Sequence, residues 1–201
     1  MDRIGLLSLP PHTADAQTLF DEDQEELGYV MNVSRLWSYQ PGTVTALFEL
    51  MRKALADADF SPRQRGILVC AAASSLGDSY CSLAWGSKLS KTASPTLAAA
   101  VISGDDNELA DGDRVMATWT RKVVRDPNAT TDADLQVLRD AGFADSQIFA
   151  MTAFVALRLA FSIVNDALGA TPDAQLRRDA PAQVAAAVDF GRPADTAPRA
   201  L

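Results

Sequence analysis

Residues 61–90, SPRQRGILVCAAASSLGDSYCSLAWGSKLS, leave the chain few ways to fold, because they spell two helices joined through one glycine. Ser61 suits an N-cap, Pro62 fits the first helical position, where its missing N–H costs nothing, and Gln64 can close a capping box. The spacing predicts a helix from there to a turn at Gly77. A second helix is expected from about Asp78, a good N-cap type, to about Ser90. So short a connection suits an antiparallel pair about the turn at Gly77.

The rest of the chain reads the same way. DAQTLFDEDQEEL is an amphipathic helix, and Pro41 and Gly42 are expected to break the chain before TVTALFELMRKALAD, whose apolar residues recur at helical spacing. Ser94 and Pro95 open a short helix, and the helix in DGDRVMATWTRKVVRDP stops at Pro127. TTDADLQVLRDAG has threonine caps at its start and Gly142 at its end. The longest helix begins at ADSQIFAM and ends at Gly169. No stretch alternates convincingly as a strand. The expectation is an all-α bundle with at least six helices and no sheet beyond two short strands. A single domain over residues 1–170 is followed by a C-terminal extension, 171–201, rich in Ala, Pro, Asp and Arg. The extension is expected to be partly disordered, with a weak helix in PAQVAAAVDF.

Composition narrows the chemistry. Apolar residues make up 48% of 201 residues, enough for a sizeable core. The net charge of −8, with Lys and Arg scattered, argues against nucleic acid and against an anionic membrane as partners. The apolar run 148–164 contains Arg158 and is shorter than the ~20 residues a membrane span needs, so it reads as a buried central helix. Two cysteines, Cys70 and Cys81, with no secretion signal, point to reduced thiols in the cytoplasm. His12 is the one histidine, which excludes histidine triads and histidine-based zinc sites. The acidic SGDDNELADGD is no phosphate loop and lacks EF-hand spacing. No metal and no cofactor is expected.

Three stretches carry a family resemblance: 61–81, SPRQRGILVCAAASSLGDSYC; 114–151, from RVMATW to SQIFAM; and VNDALG at 164–169. LGYVMNVSRLWSYQPGTVTALFELM, at 27–51, fits the same pattern. Together they resemble the carboxymuconolactone decarboxylase and alkylhydroperoxidase D superfamily, in its peroxidase-related branch. The resemblance implies a helical bundle that assembles as a trimer, hexamer or related homo-oligomer. It also implies a peroxidase site made of a glutamate, a Cys-x-x-Cys pair and a histidine. Here only the second thiol position keeps its residue, Cys81. Asp78 stands at the first thiol position, Trp85 at the histidine position and Gly66 at the glutamate position. Without a second local thiol and the proton-relaying groups, the family's disulfide cycle has no means to run.

Asp78, Cys81 and Trp85 are therefore the candidate site residues. Their spacing, i, i+3, i+7, puts them on one helix face. Two readings are open. In one, Asp78 only caps the helix while Cys81 and Trp85 fill the core. In the other, Cys81 is a working thiol in the first helical turn, its pKa lowered by the helix dipole and raised by Asp78, or Asp78 is a general base. Cys70 offers a displaced redox partner. If Gly66 and Trp85 face each other across the helix pair, so do Cys70 and Cys81. Arg158 can bind a substrate carboxylate or pair with a buried Asp or Glu. Trp37 and Trp119 read as core. The expected function is a repurposed small-molecule enzyme using the inter-helix cavity, with a small organic molecule as partner. The alternatives are a non-catalytic binding or assembly protein, or a residual thiol antioxidant using Cys81 with Cys70. A cavity at Asp78, Cys81 and Trp85 favours the enzyme; a filled core favours the binding or assembly protein.

Overall fold

The computed structural model describes residues 3–107 and 109–198. A two-residue hairpin, β1 (Arg3–Ile4) and β2 (Leu7–Ser8), is followed by eleven α-helices among the described residues. They are α1 (Ala14–Leu27), α2 (Asn32–Trp37), α3 (Pro41–Leu55), α4 (Pro62–Leu76), α5 (Ser79–Thr92), α6 (Pro95–Ser103), α7 (Asp111–Arg125), α8 (Asp132–Asp140), α9 (Asp145–Ala167), α10 (Ala174–Asp179) and α11 (Ala182–Ala187). The all-α expectation holds.

The helix pair at 61–90 forms as its residues dictate. Ser61 and Gln64 make the reciprocal capping box, Pro62 sits in the first turn, and Gly77 closes α4 with a left-handed φ of 86°. Asp78 then caps α5. α4 is the central helix, packed on α5, α6, α7 and α9. Its buried run from Gly66 to Ala73 touches neighbours on every side, so no clean amphipathic stripe is needed.

Two local expectations change. Pro41 does not break the chain: it opens α3, because a proline ring is pre-set for the first helical turn. α2, too short to show a period, escapes sequence reading altogether.

The largest difference lies in the extension. Residues 171–198 pack onto the helices rather than trailing from them. Val184 of α11 is fully buried, and a Cβ on Gly86 of α5 would stand 2.7 Å from its Cγ1. The Ser79 hydroxyl donates to the Arg192 carbonyl at 2.7 Å, and the Asp195 N–H to the Pro172 carbonyl at 2.8 Å. A strap of little hydrophobicity is held here by two buried valines, Val184 in its notch and Val188, and by hydrogen bonds that include those the Asp173 and Asp195 carboxylates accept from Tyr80 and Asn32. Residues 199–201 lie outside the described residues.

α9 is longer than its apolar run, and by length and composition alone it is long and apolar enough to cross a membrane. It packs against α3, α4, α7 and α8, and it buries Arg158, Ser162 and Asn165 along the inward face. Those polar side chains face the neighbouring helices rather than the exposed side of α9.

Candidate functional site

The site is built where α5 meets α9. Asp78 Oδ1 accepts the Cys81 N–H at 2.8 Å, an N-cap bond that fixes Cys81 in the first turn of α5. One turn later Trp85 projects from the same face. From α9, Arg158 reaches across to the thiol, with Nη2 3.3 Å from Cys81 Sγ, and the Ser162 hydroxyl points to the same sulfur at 3.7 Å. The guanidinium lies over two rings, 5.4 Å from the centre of Trp85 and 5.2 Å from that of Phe161. Phe161 in turn stacks on Trp37, with centroids 5.7 Å apart and planes at 2°. The Trp37 N–H donates to Asn165 Oδ1 at 2.8 Å, so the wall is locked at both ends.

These groups border a cavity of about 520 Å³ between α1, α2, α3, α5 and α9. Cys81, Arg158, Trp37, Trp85, Phe48 and Phe161 line it, as does Tyr80. Glu22, Asp23 and Glu26 of α1 also border it, the two glutamates being exposed, and Lys88 stands 3.8 Å from Glu26.

Burial is the largest influence on the Cys81 thiol and pushes its pKa well above the ordinary thiol value. The Asp78 carboxylate pushes the same way, against Arg158 and then Ser162. Desolvation thus wins over helix position, and the resting group is a protonated thiol. Burial likewise lifts Cys70 to about 12. Behind the cavity wall, Tyr80 donates its phenol to the Asp173 carboxylate, whose other oxygen accepts the Asn32 N–H at 2.9 Å. Burial raises Asp173 to about 6, and burial followed by repulsion from Asp78 raises Asp166 to about 6, with Arg192 opposing.

Cys81 and Trp85 therefore lie on the cavity together, and Asp78 is fully buried and does not line it, its Oδ1 bonded to the Cys81 N–H. Cys70 is not brought into this group. It sits in a separate apolar cluster with Ile67, Leu83 and Ala98, while Cys81 belongs to the cluster of Trp37, Tyr80 and Phe161; both thiols are free. Gly66 lies against Leu89, with a Cβ there 3.2 Å from the leucine Cβ, and borders a cleft that Trp85 also lines. Arg158 has no ion-pair partner among the described residues, which removes the paired reading. Trp37 is both core and cavity wall, whereas Trp119 bonds to Thr152 away from the cavity. Phe48 and Phe161 gave no signal in the sequence, because they are two among many apolar residues at helical spacing. Among the described residues no three His, Cys, Asp or Glu side chains gather to hold a metal ion.

No family model matches the sequence, and no curated protein does. Among solved structures, the chain is similar to an alkylhydroperoxidase AhpD core, an uncharacterized peroxidase-related protein from Ralstonia eutropha JMP134. The TM-score is 0.77 and the identity 21%, over 88% of this chain and 96% of that one. An uncharacterized peroxidase-related protein from Silicibacter sp. TM1040 is similar at TM-score 0.77 and 24% identity, over 87% and 95%. The debrominase Bmp8 is similar at TM-score 0.66 and 15% identity, over 90% and 95%, in a Cys-to-Ala variant complexed with 2,3,4-tribromopyrrole. These likenesses show the fold: the chain has the alkylhydroperoxidase D core fold, in the form found in peroxidase-related proteins.

Proposed function

We propose that this bearer of the alkylhydroperoxidase D fold is a small-molecule enzyme of the peroxidase-related branch that no longer runs a Cys-x-x-Cys peroxidase cycle. One observation carries the reading: the cavity of about 520 Å³ opens onto Cys81 and Trp85, the positions where the resemblance places the second thiol and the histidine. A volume of that size suits a small organic ligand. In this reading Cys81 meets the ligand as a neutral S–H group, Asp78 positions it, and Trp85 forms a wall. A thiol kept protonated is a poor nucleophile toward a hydroperoxide, since the thiolate is the reactive form. The debrominase neighbour, whose complex holds a small halogenated pyrrole, lends support that this fold can receive a planar ring in other chemistry.

The assembly belongs to the same proposal. Along α9, Phe149, Ala156, Ala160, Ile163 and Ala167 are exposed on one side, and Phe149 is 76% exposed. A second copy of the chain would cover this stripe. Two free thiols suit a cytoplasmic setting.

The test is turnover of cumene hydroperoxide with a thiol reductant. The expected rate equals the protein-free blank, in wild type and in Cys81→Ala alike. Steady turnover that disappears in Cys81→Ala would overturn the proposal.

A further inference from the structure

Arg158 is buried without a carboxylate among the described residues. It is 5% exposed, and its guanidinium carries five N–H donors. Their acceptors are two sulfur atoms, Cys81 Sγ at 3.3 Å and Met51 Sδ at 3.8 Å, while the buried Nε has none. Sulfur is a weak acceptor. Arg121 shows the ordinary solution. At 8% exposed, it forms a two-pronged pair with Asp106 and donates to the Val101 carbonyl at 2.7 Å. No carboxylate does this for Arg158 among the described residues. The Trp85 and Phe161 faces stabilise the cation in part, but they accept no N–H in its plane. Asp78, the buried carboxylate beside Cys81, caps α5 through Oδ1; its buried Oδ2 has no hydrogen-bond partner and forms no ion pair with Arg158 among the described residues.

An unpaired buried cation is costly, and truncating such a pair normally costs several kcal/mol. Here the missing partner faces a cavity rather than the core, so a ligand can supply it. We propose that the cavity takes a small planar organic monoanion whose carboxylate is received by Arg158, an inference that rests on the cavity being a ligand site. A guanidinium fork matches a carboxylate with two parallel N–H···O bonds. The stacked Trp37 and Phe161 wall and Trp85 suit a flat ring behind that carboxylate. Away from Arg158 the lining carries both signs, the acids Glu22, Asp23 and Glu26 on α1 and the cations Arg52 and Lys88, so Arg158 is the one buried charge that a ligand would meet.

The experiment is isothermal titration of the full chain at neutral pH with two matched pairs: cinnamate against cinnamamide, and 2-naphthoate against 2-naphthamide. Shape is held within each pair and only the charge changes. The carboxylates are expected to bind at least about tenfold more tightly than the amides, the ratio one charged hydrogen-bonded contact supplies. In Arg158→Met, which keeps an apolar stem among the rings, the two members of each pair are expected to bind alike. The wild-type comparison decides the matter even where that variant fails to fold. Amides binding as tightly as carboxylates would overturn the inference and leave the cavity reading standing. No binding by any of the four would overturn both.

Discussion

The Cys81 sulfur is where the residue-level physics meets. A cysteine in the first turn of a helix is expected to be acidic, because the helix N-terminus favours a negative charge. Its 2% exposure reverses that expectation, and the carboxylate that caps the helix adds to the reversal. The influences are separable by substitution. Asn caps a helix about as well as Asp, so Asp78→Asn keeps the bond to the Cys81 N–H while removing the charge. The thiol pKa then falls. In a Cys70→Ala background, alkylation of the native protein by iodoacetamide at mildly alkaline pH is expected to run several-fold faster in Asp78→Asn than with Asp78 in place. An unchanged alkylation profile across pH would show that Asp78 does not act on the sulfur.

Among the elements, the docking of α11 on α5 is the least expected and the easiest to probe. Gly86 has no side chain, and Val184 fills the space: a Cβ there would lie 2.7 Å from Val184 Cγ1 and 2.8 Å from Ile102 Cδ1. Gly86→Ala gains helix propensity but overpacks this notch, and a loss of about 1–3 kcal/mol in urea unfolding is expected. Adding Val184→Ala should return part of that loss, since the clash and the cavity offset one another. A simple sum of the two single effects would show that the residues do not meet. The same pair marks how far a sequence can be read. The caps at Ser61, Ser94 and Thr131 announce their helices, because a cap is a local bond between residues three apart. The trio of Asp78, Cys81 and Trp85 was legible as one helix face for the same reason. The fate of residues 171–198 was not, because one valine in an alanine-rich stretch gains its meaning only from a glycine about a hundred residues earlier. Nor was the choice between two partners for Arg158, since whether a carboxylate stands nearby depends on how α5 and α9 cross. The two thiols are free, as two cysteines on neighbouring helices allow, and that they belong to different apolar clusters depends on which face of α4 and of α5 each presents.

The whole molecule still carries an imbalance: α9 supplies the inward arginine of the site and, on its opposite side, an exposed apolar stripe. Phe149 is 76% exposed and Ile163 is 52% exposed, with alanines between them at helical spacing. Small residues let another helix approach closely, and the large ones at either end supply apolar area. Charge does not oppose contact there, because the stripe carries no ionisable group. The proposed homo-oligomer, built through α9, would account for all of this and would join assembly to site, since α9 also holds Arg158 and Phe161 in place. Sedimentation velocity of the full chain is expected to give a mass of at least a dimer. Ile163→Arg puts a charge in the stripe without touching the cavity lining and is expected to shift the mass to the monomer while the helical circular dichroism signal is kept. A wild-type monomer would remove the assembly proposal and leave the α9 stripe without a partner; an Ile163→Arg oligomer would move the interface to another face.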